Sequence, residues 1–112
     1  MVKLLSVGGE ILSELSGKTG IKLVVIEEIK EIAKKYGVCK VILFGSRARG
    51  DYYKKSDIDL AVSGGDKTAF ALDINESTST LLEYDVVDLD KEIQQKLRIS
   101  IEKEGITIYE KV

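Results

Sequence analysis

The stretch FGSRARGDYYKKSDIDLAV, residues 44–62, joins two apolar runs through a basic loop bounded by glycines. In its last segment Asp57 and Asp59 alternate with Ile58, Leu60 and Val62. Strand side chains alternate faces, so the two carboxylates share one face and the three aliphatic residues take the other. Alpha carbons two apart on one face lie roughly 6.5–7 Å from each other, close enough for both carboxylates to converge on one or two hard cations. Without a cation they repel, and at least one pKa rises. The plainer alternative makes Asp57 a turn cap and Asp59 a solvated residue on a half-exposed strand.

Working outward, VCKVILF from Val38 to Phe44 is a nearly continuous β-favouring run, as expected of a central strand covered on both faces. Before it, Val25, Ile29, Ile32, Ala33 and Tyr36 recur at helical spacing, predicting an amphipathic helix over 21–36 that Gly37 stops. Residues 45–56 read as a loop with one helical turn starting at Ser46, and a second strand follows over 57–63. Gly64 and Gly65 break that strand. Asp66 is a candidate cap for a helix with Phe70, Ile74, Ser77 and Leu81 on one face. YDVVDL, residues 84–89, predicts a third strand, and Asp90 a cap for a helix carrying Ile93, Leu97 and Ile101 as far as Gly105. ITIY, residues 106–109, predicts a short edge strand. The alternation implies an α+β domain with α/β-like order: a small mixed sheet flanked by helices, one domain over 1–112 with residues 1–20 as an N-terminal extension.

Composition narrows the chemistry. The 112 residues carry a net charge of −2, against the basic excess that generic nucleic-acid binding needs. There is no histidine, which removes histidine triads and histidine metal ligands and leaves carboxylates to carry polar catalysis. Cys39 is the single cysteine, and its apolar neighbours predict an inert buried thiol. The N-terminal apolar run is too short and too weakly basic for a signal peptide, and no stretch approaches a membrane span, so a cytoplasmic protein is expected. SGKT, residues 16–19, looks like the end of a phosphate-binding P-loop, but Leu12 stands where its first glycine belongs, so a plain turn is expected.

Gly45 lets the backbone approach a ligand, and Ser46 can open a turn whose amides face an anion. Arg47, Arg49, Lys54 and Lys55 add positive charge, and the arginine fork matches phosphate oxygens. A phosphate-binding turn after one strand and a carboxylate pair on the next are two halves of a metal-dependent nucleotide site. The pattern Gly45-Ser46, ten residues, Asp57-Ile58-Asp59 resembles the signature of the minimal nucleotidyltransferases of the DNA polymerase β-like superfamily. VILFGSRARGD, SDIDLAV, YDVVDLD and EGITIYE extend the resemblance over about residues 21–112.

The resemblance implies a third carboxylate between apolar residues on a later strand. Asp85 and Asp88 both have that setting and face opposite sides of a regular strand. Asp85 lies within the strand and is the expected member, with Asp88 at the strand end. By the same resemblance, Gly45 and Ser46 hold the β- and γ-phosphates of ATP, and Arg47 and Arg49 contact nucleotide or partner. Asp57, Asp59 and Asp85 ligate two Mg²⁺, and Asp85 helps to draw the acceptor proton. Family members this short resemble antitoxins paired with HEPN ribonuclease toxins, some of which transfer AMP to a tyrosine of the toxin. The implied function is therefore adenylyl transfer to a HEPN partner, the alternative being a non-catalytic module that neutralises the partner by covering it.

Overall fold

The computed structural model describes residues 9–111. Its elements run α1 (Gly9–Thr19), α2 (Leu23–Lys35), β1 (Lys40–Phe44), α3 (Ser46–Arg49), β2 (Ile58–Ser63), α4 (Lys67–Ser77), β3 (Tyr84–Asp88), α5 (Gln95–Glu104) and β4 (Ile106–Glu110). The strands form one sheet in the order β3-β2-β1-β4. β1 pairs antiparallel with β2 and β4, whereas β2 pairs parallel with β3, so the sheet is mixed and β1 is an inner strand, as expected. A parallel pair needs a crossover, and α4 supplies it.

The alternation in β2 separates two unlike faces. Ile58, Leu60 and Val62 join Val41 and Leu43 of β1 against Val25, Ile26, Ile29 and Ala33 of α2 and Phe70 and Ile74 of α4. At about 1.5–3 kcal/mol for each fully buried aliphatic or phenyl side chain, this face carries most of the packing energy. The opposite face holds a smaller cluster in which Ile93, Leu97 and Ile101 cover Ile42, Phe44, Ala61 and Val87. Asp59 shares the strand parity of Ala61, so it belongs to this second, thinner face, and Asp57 immediately precedes the strand.

Asp66 caps α4 as its position suggests, accepting a hydrogen bond from the Ala69 amide. Four expectations need correction. α4 ends at Ser77, and Leu81 is fully exposed, because Thr78 Oγ1 donates back to the Ile74 carbonyl and Glu28 takes both the amide and hydroxyl of Ser79. Short hydroxyl side chains thus end the helix by competing for its backbone groups. Asp90 does not cap the last helix, which starts at Gln95; its carboxylate accepts from Gly64 N and Lys67 Nζ instead. Cys39 is exposed, because it precedes β1 with its backbone bonded to Ser63 and Lys111 while Val38 and Val41 take the inward positions. The N-terminal segment, unassigned on sequence, is helical over Gly9–Thr19. SGKT is its last turn, where Thr19 is buried with its hydroxyl donating to the Leu15 carbonyl.

Candidate active site

β1 ends at Phe44, and Gly45 turns the chain with φ 77° and ψ −158°, a conformation essentially reserved for glycine. A Cβ at this position would also collide with Asp59 Oδ2, so the turn and the carboxylate are in direct contact. The antiparallel register sets this proximity by pairing Phe44 with Asp59. The parallel register then places Asp85 beside Asp59. Residues in register on neighbouring strands point the same way, so Asp85 joins Asp59 on the thinner face. Asp88 lies elsewhere, near Lys67 Nζ at 3.7 Å and accepting from the Asp90 amide.

The eight aspartates divide sharply by their partners. Asp51, Asp66, Asp73, Asp88 and Asp90 each accept a hydrogen bond from, or form an ion pair with, a named donor. Among the described residues Asp57, Asp59 and Asp85 do neither. Asp57 and Asp85 are exposed, whereas Asp59 is half-buried. Burial first, then the charges of Asp85 and Asp57, push the Asp59 carboxyl up to about 6 against the weaker pull of Arg49 and Arg47. Among the described residues no group of three or more His, Cys, Asp or Glu side chains stands arranged to hold a metal ion. Their chemistry is nevertheless of the type a divalent cation takes: three carboxylates without cationic contacts of their own, Asp59 and Asp85 in register on adjacent strands and Asp57 just before β2.

Two of the expected anion contacts are occupied differently. Arg47, expected to contact nucleotide or partner, is 1% exposed. Its Nε donates to the Ser56 carbonyl at 2.9 Å, its Nη1 to the Thr19 carbonyl at 2.9 Å and its Nη2 to the Lys54 carbonyl at 3.2 Å. The Tyr52 ring stacks on the guanidinium at 4.8 Å and rests against Gly20. Arg47 is therefore the internal strut of the ten-residue spacer between Ser46 and Asp57, tying it to the end of α1. Arg49 remains at the surface, donating Nε to Asp51 and Nη1 to Glu104. Glu104, to which the sequence assigns no role, also accepts from the Gly45 amide at 3.2 Å. It opens the EGITIYE stretch of the resemblance, but the local sequence assigns it no contact, because its partners lie more than fifty residues away.

Residues 27–112 match the family of polymerase beta nucleotidyltransferases, and the chain belongs to that family. It is 41% identical over 63 residues to the provisionally named protein adenylyltransferase MJ0604 of Methanocaldococcus jannaschii; the match takes in 54% of this chain and 61% of that protein. Among solved structures, a toxin–antitoxin crystallised with AMP-PNP shares the fold at a TM-score of 0.63 and 21% identity, over 77% of this chain and 73% of that one. A protein from Shewanella oneidensis does so at a TM-score of 0.56 and 18% identity, over 79% and 71%. No described helix is long and apolar enough to cross a membrane.

Proposed function

We propose that this protein transfers AMP from ATP to a hydroxyl, in the cytoplasm, and that the acceptor is a tyrosine of a HEPN ribonuclease for which it is the antitoxin. One observation carries the reading: Asp59, without a hydrogen-bond or ion-pair partner among the described residues, lies against the Gly45 turn and in register with Asp85. Family membership, the adenylyltransferase name of the Methanocaldococcus relative and the AMP-PNP-containing toxin–antitoxin of like fold point the same way.

On this reading Gly45 and Ser46 bind the β- and γ-phosphates, and Arg49 adds a charge-assisted contact. Asp57, Asp59 and Asp85 would hold Mg²⁺, which supplies charge neutralisation for the triphosphate. The acceptor oxygen bonds to the α-phosphorus as the bond from that phosphorus to the pyrophosphate oxygen breaks. Asp85, exposed at the edge of the trio, takes up the acceptor proton.

The test is to incubate the purified pair with ATP and Mg²⁺ and to weigh the partner intact. Wild type should add AMP, and an Asp57→Asn, Asp59→Asn double variant should not. A tight complex with no adduct would sink the enzymatic reading and leave a module that neutralises its partner by contact.

A further inference from the structure

The Gly45 amide that the nucleotide reading needs is already engaged by a carboxylate. Glu104 Oε1 accepts from it at 3.2 Å, and the same oxygen accepts from Arg49 Nη1 at 2.9 Å. A backbone N–H has one hydrogen, so a phosphate oxygen and Glu104 compete for it. Glu104 is delivered here by the end of α5. Glu102 and Lys103 face solvent, whereas the Glu104 side chain is only 21% exposed. Gly105 then packs so closely that a Cβ would lie 2.6 Å from Ile42 Cγ2, which pins the end of the helix against β1. The carboxylate thus makes, from within the chain, the two contacts that a phosphate would make: one to a backbone amide and one to an arginine.

We propose that Glu104 is a built-in phosphate surrogate, a latch that closes the Gly45 turn and occupies Arg49 until a polyphosphate displaces it. This rests on the nucleotide reading of the same turn. The latch lowers affinity for every ligand that needs the turn, and it leaves unaffected those that do not reach it. ATP would then receive Arg49 from Glu104 on binding, whereas AMP, lacking the outer phosphates, would leave the latch closed.

Isothermal titration of the full chain with ATP and with AMP, both with Mg²⁺, tests this. Glu104→Gln keeps the size and removes the charge. It should tighten ATP binding about five- to twentyfold, the size expected of one partly screened charge-assisted hydrogen bond, and leave AMP within about twofold. Glu104→Ala should act in the same direction, with thermal melts checking that each variant is folded, and the exposed Glu102→Gln should change neither ligand. An unchanged or weaker ATP affinity in folded Glu104 variants, beside a wild type that binds ATP, overturns the latch alone. So does an equal gain for ATP and AMP, which would mark a general charge effect. If neither wild type nor variant binds any nucleotide, the latch and the nucleotide reading fall together.

Discussion

Asp59 shows at a single residue how this site opposes stability. Its folded pKa, about 6, lies above its ordinary value of 3.8, so between those pH values the folded state holds a proton that the unfolded chain releases. The stability drawn from this group is therefore full below about pH 4 and is lost as pH rises through 6. At neutral pH the ionised carboxylate remains half-buried beside two others. Asp59→Asn should consequently stabilise the protein at pH 7.5, by about 1 kcal/mol once the shift is discounted for solvent screening. Urea unfolding across pH 4–8 measures this: the gap between variant and wild type should widen with pH and close near pH 4. A variant no more stable than wild type at pH 7.5 would mean that Asp59 is better compensated than its surroundings suggest.

At the scale of elements, the spacer between β1 and β2 is ordered by Arg47. Methionine there would keep the volume and stack on Tyr52, but the carbonyls of Thr19, Lys54 and Ser56 would lose their donor. Arg47→Met should cost about 2–3 kcal/mol, as buried acceptors do when orphaned, and amide exchange should accelerate first over residues 51–56. Uniform acceleration across β1 and β2 would instead indicate global loosening. The cap of α4 is a smaller contribution: Asp66→Ala should lower the melting temperature by about 4 °C, the equivalent of about 1 kcal/mol in a chain of this size. Both elements illustrate what the sequence could convey. Period-two alternation exposed the aspartate face of β2, helical spacing identified the buried face of α2, and Asp66 announced its helix. Arg47 and Arg49 look alike in a basic loop, and only the path of α1 across that loop, a tertiary fact, turns one inward and leaves the other out. Asp90 and Asp66 likewise share the look of a cap, but Gly64 and Lys67 lie close enough to claim Asp90 first.

For the whole molecule, the decisive property is that Asp59, Asp85 and Asp57, none with a hydrogen-bond or ion-pair partner among the described residues, lie close enough for the charges of the other two to act on Asp59. Each other aspartate accepts a hydrogen bond or forms an ion pair, so a cation that needs several carboxylates should act mainly on Asp57, Asp59 and Asp85. Any ligand that binds the folded chain alone raises its stability by mass action, about 1.4 kcal/mol at ten times its dissociation constant. Magnesium should therefore raise the melting temperature of wild type by about 5 °C at such a concentration. Potassium chloride at matched ionic strength should give much less, because monovalent screening lacks the multidentate gain of carboxylates converging on one ion. The Asp57→Asn, Asp59→Asn variant should begin from a higher melting temperature in the absence of divalent ions and respond to magnesium and potassium alike. The two curves should thus cross as magnesium rises, wild type being the less stable protein without the ion. Parallel magnesium responses in wild type and the double variant would show that the three carboxylates do not act as one site, whatever their proximity. A crossing would tie the raised Asp59 pKa, the shared strand face and the cation to a single cause.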